Sequence, residues 1–207
     1  MAKLSVELER YFFQQERQPE VTLADILYLT EERIFGFLLV ILSLPSALPI
    51  PAPGYSIPFG ILMFILALQL ILGRQRPWLP EKMKKGSMPL EKVRGVVKAG
   101  IPWLRRIEAL TKPRMSYICT SLSGRVIIGV AIALMAIFMM IPIPGTNTLP
   151  AMGIFVTGFG LIEDDGAIAL AGLIICGLGA TLSLSIIFAV IWGGSSLLDV
   201  IKGFLGR

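Results

Sequence analysis

Hydrophobic residues along this 207-residue chain fall into five apolar segments separated by short polar or Pro-Gly stretches. No charged side chain occurs from Val126 to Ile162, or from Gly166 to Leu198. Both runs are longer than the roughly 20 residues that a helix needs to cross a bilayer core. The pattern predicts an all-α, polytopic membrane protein, with apolar helices over about 34–50, 57–73, 126–141, 149–162 and 166–198.

One motif occurs twice, once in each half of the chain. The first copy is Ile50-Pro-Ala-Pro-Gly54-Tyr-Ser56, and the second is Ile141-Pro-Ile-Pro-Gly145-Thr-Asn147. Proline lacks a backbone N–H and glycine is conformationally free, so both residues interrupt helices. Breaks at corresponding positions of two hydrophobic halves indicate a duplicated membrane protein whose site lies at the breaks. The predicted structural hinges are Pro51, Pro53, Gly54, Pro142, Pro144 and Gly145.

Each break separates two apolar segments, so the sequence predicts two helical hairpins within one membrane domain. Segment 149–162 would rise only about 21 Å, which is less than a bilayer core of about 30 Å. The hairpins are therefore either re-entrant or joined by plain turns outside the membrane. The predicted units are an amphipathic N-terminal region 1–32, hairpin repeat 33–80, a basic connector 81–124, hairpin repeat 125–165, and a C-terminal helix and tail 166–207.

The net charge of +5 is unevenly distributed, because residues 74–125 carry thirteen bases and three acids. Basic loops beside short apolar segments stay in the cytoplasm, which places this block and the N-terminus there and favours hairpins of the same sense. A crossing of the membrane by the connector would instead invert them. Helical spacing over 90–110 predicts an amphipathic helix that lies on the membrane surface or forms an ordinary solvated connector. Anionic lipid head groups at 81–114 are the expected partners, and nucleic acid is not expected.

The amino-acid composition excludes several classes of catalytic site. The chain has no histidine and two cysteines, which excludes most catalytic triads, zinc sites and disulfide frameworks. No phosphate-binding loop, nucleophile elbow or metalloprotease motif is present. We therefore predict no catalytic residue, no metal and no cofactor, and an enzyme is the less favoured class.

Polar residues beside the two breaks are the predicted substrate-binding groups. Ser56 and Asn147 stand where helices restart, and a helix N-terminus attracts anions, although both residues could simply cap their helices. Gln69 is an amide within an apolar segment and needs a partner. We expect these three residues, with Tyr55 and Thr146, to line one cavity between the hairpins.

The sequence also contains a cluster of carboxylates and a stripe of small residues. Glu163, Asp164 and Asp165 form a carboxylate cluster that is either a candidate ion site or a set of solvated loop charges. Small residues recur every four positions in the last apolar segment, including Gly172 and Cys176. Such a stripe predicts close helix packing, within one protomer or across a homodimer.

Three strings in the chain are distinctive: Leu48-Pro-Ile-Pro-Ala-Pro-Gly54, the run from Ala67 through Gly73-Arg-Gln-Arg-Pro77-Trp-Leu-Pro80, and the second break followed by Gly-Leu-Ile-Glu163-Asp-Asp-Gly166. Together they resemble the ExoD family of exopolysaccharide-synthesis proteins. The resemblance covers about residues 5–192. It implies a bacterial inner-membrane protein linked to exopolysaccharide production, and it brings no settled activity and no agreed catalytic residues.

Three functional hypotheses follow. The first is a transporter or permease-like inner-membrane component of exopolysaccharide synthesis, with a small-molecule or ionic substrate bound between the repeats. The second is a non-transporting regulatory or scaffolding subunit of the polysaccharide machinery. The third, least favoured, is a membrane enzyme that acts on a lipid-linked substrate, with Glu163 to Asp165 holding a divalent metal.

Overall fold

The computed structural model describes residues 4–14, 20–22, 33–47, 56–78, 87–141 and 147–205. This part of the chain is mainly helical and contains one antiparallel pair of three-residue strands, which agrees with the predicted all-α class. Two helices, Leu122–Met140 and Gly166–Trp192, are long and apolar enough to cross a membrane. In chain order the elements are α1 (Leu4–Phe13), β1 (Glu20–Thr22), α2 (Ile34–Ala47), α3 (Ser56–Ile71), β2 (Ser87–Pro89), α4 (Leu90–Leu110), α5 (Tyr117–Thr120), α6 (Leu122–Met140), α7 (Thr148–Ile162) and α8 (Gly166–Leu205).

The four helices of the predicted hairpins pack mainly across the hairpins. Helix α2 packs along α7, and α3 packs along α6. A Cβ atom on Gly36 would lie 2.7 Å from the carbonyl oxygen of Gly158, and one on Gly129 would lie 3.0 Å from that of Ala67. Because glycine has no side chain, each of these helix pairs approaches to backbone contact.

Helix α8 packs on α7 through a seam of small residues. Gly153 lies against Cys176 and Gly160 lies against Ala169, so a Cβ at either glycine would meet backbone atoms at less than 3 Å. Gly172 faces α7 on the same seam. The packing predicted for Gly172 and Cys176 is therefore confirmed, and their partner is a helix of the same chain.

Helices α2 and α6, the first helices of the two predicted hairpins, begin at the same end of the bundle. Arg33, just before α2, and Arg125, near the start of α6, line one cavity at this end. Near the opposite end Gly60 of α3 packs against Met140 of α6. The connections between the paired helices lie outside the described residues, and with them the predicted hinges Pro51, Pro53, Gly54, Pro142, Pro144 and Gly145.

Helices α1 and α4 form a second layer on one flank of the bundle. Leu8 and Phe12 of α1 pack in a cluster with Phe159 of α7. Glu108 of α4 is 2% exposed, and its carboxylate accepts hydrogen bonds from the backbone N–H of Ser5, at 2.7 Å, and from the Ser5 hydroxyl. The predicted amphipathic stretch 90–110 is thus a helix, and these hydrogen bonds join it to α1.

Candidate functional site

A cavity of about 390 Å³ lies at the end of the bundle where both hairpins begin. Its wall is built by α2, α3, α5, α6 and α7, together with the loops that follow α3 and α7. The cavity therefore lies where the helices of the two predicted hairpins meet. We call it the arginine pocket, and its lining residues are Arg33, Phe35, Gly36, Leu70, Gln75, Arg76, Cys119, Thr120, Arg125, Leu161 and Asp164.

Three guanidinium groups give the arginine pocket its charge. Arg33, Arg76 and Arg125 line it, and the carboxylate of Asp164 is the single acidic group of the lining. Glu163 also lies beside Arg33, so the three arginines outnumber these two carboxylates by one. The lining suits an anionic ligand, and the planar guanidinium group can bind phosphate or carboxylate with two parallel hydrogen bonds.

Arg125 is held in place by contacts from the first hairpin. Its Nη2 donates a hydrogen bond of 2.6 Å to the backbone carbonyl oxygen of Arg74. Its guanidinium carbon lies 5.8 Å from the centroid of the Phe35 ring, within the range of a cation–π contact. Arg125 therefore joins α6 to the end of α3 and to α2, and its position is set before any ligand binds.

The three carboxylates of the predicted ion site, Glu163, Asp164 and Asp165, make different contacts. Glu163 Oε1 lies 4.0 Å from Nη1 of Arg33, and the two side chains are 12% and 14% exposed. Asp164 has a φ of +50° and contributes to the lining of the arginine pocket. Within the part of the chain that the structure describes, no group of three His, Cys, Asp or Glu side chains could hold a metal ion.

Asp165 caps helix α8. Its Oδ1 accepts hydrogen bonds from the backbone N–H of Ala167, at 3.0 Å, and of Ile168, at 3.3 Å. Its Oδ2 accepts one from the backbone N–H of Lys112, at 3.0 Å. The carboxylate thus satisfies two donors of the first turn of α8 and ties the segment after α4 to the bundle.

Gln69 fixes the loop that carries part of the arginine pocket. Its amide Nε2 donates hydrogen bonds to the carbonyl oxygens of Trp78, at 3.1 Å, and Ile65, at 3.3 Å, and its Oε1 accepts one from the Trp78 backbone N–H. Because Ser56 lies thirteen residues earlier on the same helix, about 20 Å separates the two. The structure therefore does not bring Gln69 together with Ser56.

Ser56 and Asn147 lie at the opposite end of the bundle from the arginine pocket. Ser56 is the first residue of α3 and is buried, whereas the side chain of Asn147 makes no capping hydrogen bond to α7. Tyr55 and Thr146 fall outside the described residues. A substrate-binding role for these four residues stays a prediction.

Cys119 is a buried thiol at the wall of the arginine pocket. Burial, and secondarily the carboxylates of Asp164 and Asp165, raise the pKa of the Cys119 thiol to about 12. The thiol is therefore protonated at neutral pH, and its Sγ lies 3.4 Å from the carbonyl oxygen of Gly160 as a donor. This environment gives a packing residue and not a nucleophile.

The sequence pattern did not single out Gln75, Arg76 or Thr120 as site residues. A usable signal was present, because basic residues flank the apolar segments at Arg33, at Arg76 and at Arg125. In two hairpins of the same sense, those three flanks meet at one end. Placing them together requires knowing that the hairpins pack against each other.

Comparison with known proteins decides the family. Residues 4–185 match the family described as "Exopolysaccharide synthesis, ExoD". The chain belongs to the ExoD family. Its match includes every residue that lines the arginine pocket and confirms the resemblance seen in the sequence.

Two relatives place the chain within the ExoD family. It is 54% identical over 205 residues to an uncharacterized protein of Synechocystis sp., slr1875, covering 99% of this chain and 97% of that one. It is 27% identical over 155 residues to Protein ExoD of Rhizobium meliloti, covering 73% of this chain and 64% of the relative. No solved structure matches the chain. Membership of the ExoD family associates the chain with exopolysaccharide synthesis, and its two apolar helices agree with a membrane protein.

Proposed function

We propose that this protein is a multi-pass, permease-like component of exopolysaccharide synthesis in the bacterial inner membrane, and that the arginine pocket binds its anionic substrate. The observation that carries the proposal is the position of the pocket. Residues from both hairpins line it, including Phe35 and Leu70 of the first and Arg125 and Leu161 of the second. A site at the junction of two packed hairpins is where their relative movement would open or close a binding cavity.

The proposal treats the hairpins as structural repeats. The glycine of α2 that packs on α7, Gly36, corresponds to the glycine of α6 that packs on α3, Gly129. The residues beneath them also correspond, because Gly36 meets Gly158 and Ile162 and Gly129 meets Ala67 and Ile71, four residues apart in both cases. This agreement supports two repeats related by an axis that runs along the bundle.

The proposed orientation places the N-terminus, α4 and the arginine pocket on the cytoplasmic side, since basic residues concentrate there. Lys98 is an exposed residue of α4 and suits a labelling test, because Cys119 and Cys176 are both buried. In intact cells, Lys98→Cys should resist a membrane-impermeant maleimide and react after the cells are opened. Labelling of Lys98→Cys in intact cells would show that α4 lies outside the cell and that the proposed orientation is wrong.

A second candidate is a non-transporting subunit that senses an anion. The helices are tightly packed around the middle of the bundle, where Met63, Ile132 and Ile154 are 0% exposed. Because the core is closed in this conformation, an anion could bind in the pocket but could not pass through the bundle. Transport and sensing therefore differ in whether a movement of the hairpins ever opens that core.

The deciding experiment measures exopolysaccharide yield in a strain deleted for the chromosomal copy. Arg76→Gln should fail to restore the yield, whereas Arg74→Gln should restore it, because the Arg74 side chain does not line the pocket. If both variants restored the exopolysaccharide yield equally, at equal protein level, the arginine pocket would not be needed for the function.

Flux in proteoliposomes then separates the two candidates. The probes are a radiolabelled sugar phosphate and a fluorescent phosphate-headed lipid that dithionite quenches in the outer leaflet. Flux of either probe above that of protein-free vesicles supports the permease. If the wild-type protein restores exopolysaccharide in cells but moves neither probe, the sensing subunit is the better description.

A further inference from the structure

We propose that the ligand of the arginine pocket is an amphiphile, namely a phosphate ester that carries a long apolar chain. This inference rests on the proposed function, in which the pocket binds an anion, and it names the chemical class of that anion. It follows from three properties of the pocket: its cationic groups, its apolar wall, and the apolar residues that surround it.

The cationic groups favour phosphate. Arg33 also lies beside Glu163, and Arg125 also donates to the Arg74 carbonyl oxygen. A phosphate monoester, with three acceptor oxygens and a charge close to −2, can accept hydrogen bonds from more than one of the three guanidinium groups, whereas a carboxylate presents only two oxygens. Gln75 and Thr120 add neutral hydrogen-bonding groups to the same wall. The volume of about 390 Å³ falls within the range of about 300–1,000 Å³ that is usual for small-molecule sites, and is larger than a bare phosphate requires.

The apolar lining closes the inner side of the pocket. Phe35 and Leu70 are 4% and 1% exposed and belong to the core cluster of the bundle, so they leave little surface for a ligand. Leu161 is only half-buried where it packs against that cluster. A lipid phosphate would place its first methylene groups beside Leu161, where apolar contact is favourable, and its chain would continue toward the exposed apolar residues around the pocket.

Exposed apolar side chains surround the arginine pocket. Leu72 and Trp78 flank the loop that carries Arg76, and they are 73% and 57% exposed. Tyr117 and Leu122 flank the part of the chain that carries Thr120, and they are 61% and 65% exposed. Tryptophan and tyrosine beside basic residues are typical of the head-group level of a membrane. The ligand would therefore reach the pocket from the bilayer, with its chain remaining among lipids.

The test measures binding to the full-length protein in detergent by calorimetry, at constant micelle concentration. Three probes divide the ligand into its parts: farnesyl phosphate, farnesol, which lacks the phosphate, and inorganic phosphate, which lacks the chain. We expect farnesyl phosphate to bind at least about tenfold more tightly than either of the others, because charge-assisted hydrogen bonds and chain burial act together.

Arg76→Gln should weaken binding of farnesyl phosphate by about tenfold. Arg76→Lys should weaken it by less, because lysine keeps the positive charge but cannot donate the two parallel hydrogen bonds of a guanidinium group. Arg74→Gln is the matched control, two residues away in the same loop, and should bind as the wild type does. Circular dichroism and gel filtration confirm that the three variants fold.

Each contrary result identifies what is wrong. Equal binding of farnesol overturns the role of phosphate, and equal binding of inorganic phosphate overturns the role of the chain. Equal loss in Arg74→Gln and Arg76→Gln overturns the location. If these binding results hold while Arg76→Gln still restores exopolysaccharide, the proposed function fails and the ligand class stands. If Arg76→Gln abolishes restoration but farnesyl phosphate binds no better than the other probes, the function stands and the ligand class fails.

Discussion

Replacing Gly36 with alanine should destabilise the bundle by forcing α2 away from α7. The added Cβ would lie 2.7 Å from the carbonyl oxygen of Gly158 and 2.8 Å from the backbone nitrogen of Ile162. Ordinary van der Waals contact begins at 3.4 Å, so the helices must separate by about 0.7 Å, and no side-chain rotation can relieve a clash with backbone. A gap of that size forfeits about a quarter to a half of each dispersion contact across the interface.

Overpacking of this kind costs about 1–3 kcal/mol, and for a chain of this size each kcal/mol lowers the melting temperature by about 2–4 °C. Exchanging glycine for alanine also gains about 1 kcal/mol of helix propensity, so the packing cost is measured against Gly177→Ala, which shares that gain. We therefore expect Gly36→Ala to melt about 2–12 °C below Gly177→Ala in detergent. Gly129→Ala should lose less, because its closest backbone contact, the carbonyl oxygen of Ala67, lies at 3.0 Å and not at 2.7 Å, and the atom at 2.7 Å is a side-chain carbon, Cγ1 of Ile71.

Gly177→Ala is the control for this series, because a Cβ there would meet nothing within 4 Å. All three substitutions gain the same helix propensity, about 1 kcal/mol, so differences among them isolate packing. Intrinsic tryptophan fluorescence during heating gives the melting temperatures. The reasoning would be refuted if Gly36→Ala and Gly177→Ala melted together, since the backbone contact between α2 and α7 would then carry no energetic weight.

Three other predictions concern single groups around the arginine pocket. Gln69→Leu should release the loop 72–78 from its hydrogen bonds and speed tryptic cleavage there under native conditions; an unchanged digestion pattern would contradict that role. Asp165→Ala should cost about 1–2 kcal/mol by removing the cap of α8, whereas Asp165→Asn keeps the acceptor for α8 but not the one for the Lys112 N–H, and should recover part of the loss as measured by melting; equal losses would argue against capping. Cys119 should resist iodoacetamide at pH 8, because a pKa near 12 leaves little thiolate at that pH, whereas the exposed Thr120→Cys should react; rapid modification of Cys119 in the folded protein would show that it is not buried.

Helix positions were predictable where charge bounds an apolar run. Segment 149–162 was expected to end just before Glu163, and α7 ends at Ile162. The next helix was expected at Gly166, and α8 begins there. Charged side chains cannot continue an apolar stripe into lipid, so the sequence itself records these boundaries.

The packing partners were not predictable from the same pattern. Gly36 and Gly129 stand out as small residues, but nothing in the sequence says that each contacts a helix of the other hairpin. Gln69 shows the same limit. Its amide was expected to need a partner, and it has one, but that partner is the backbone of Trp78, which the chain brings back by a turn after α3. Hydrophobic periodicity does not encode such a return.

The contact of α2 with α7 and of α3 with α6 has a consequence for biogenesis. The first hairpin is synthesised before the helices that cover it, since about 90 residues separate the end of α3 at Ile71 from the end of α7 at Ile162. At roughly 5–20 residues per second, the ribosome needs about 5–20 seconds to produce them. During that time the glycine surface of α2 faces lipid or the insertion machinery. A nascent chain stalled before Thr148 would therefore display a helix surface that the finished protein never exposes.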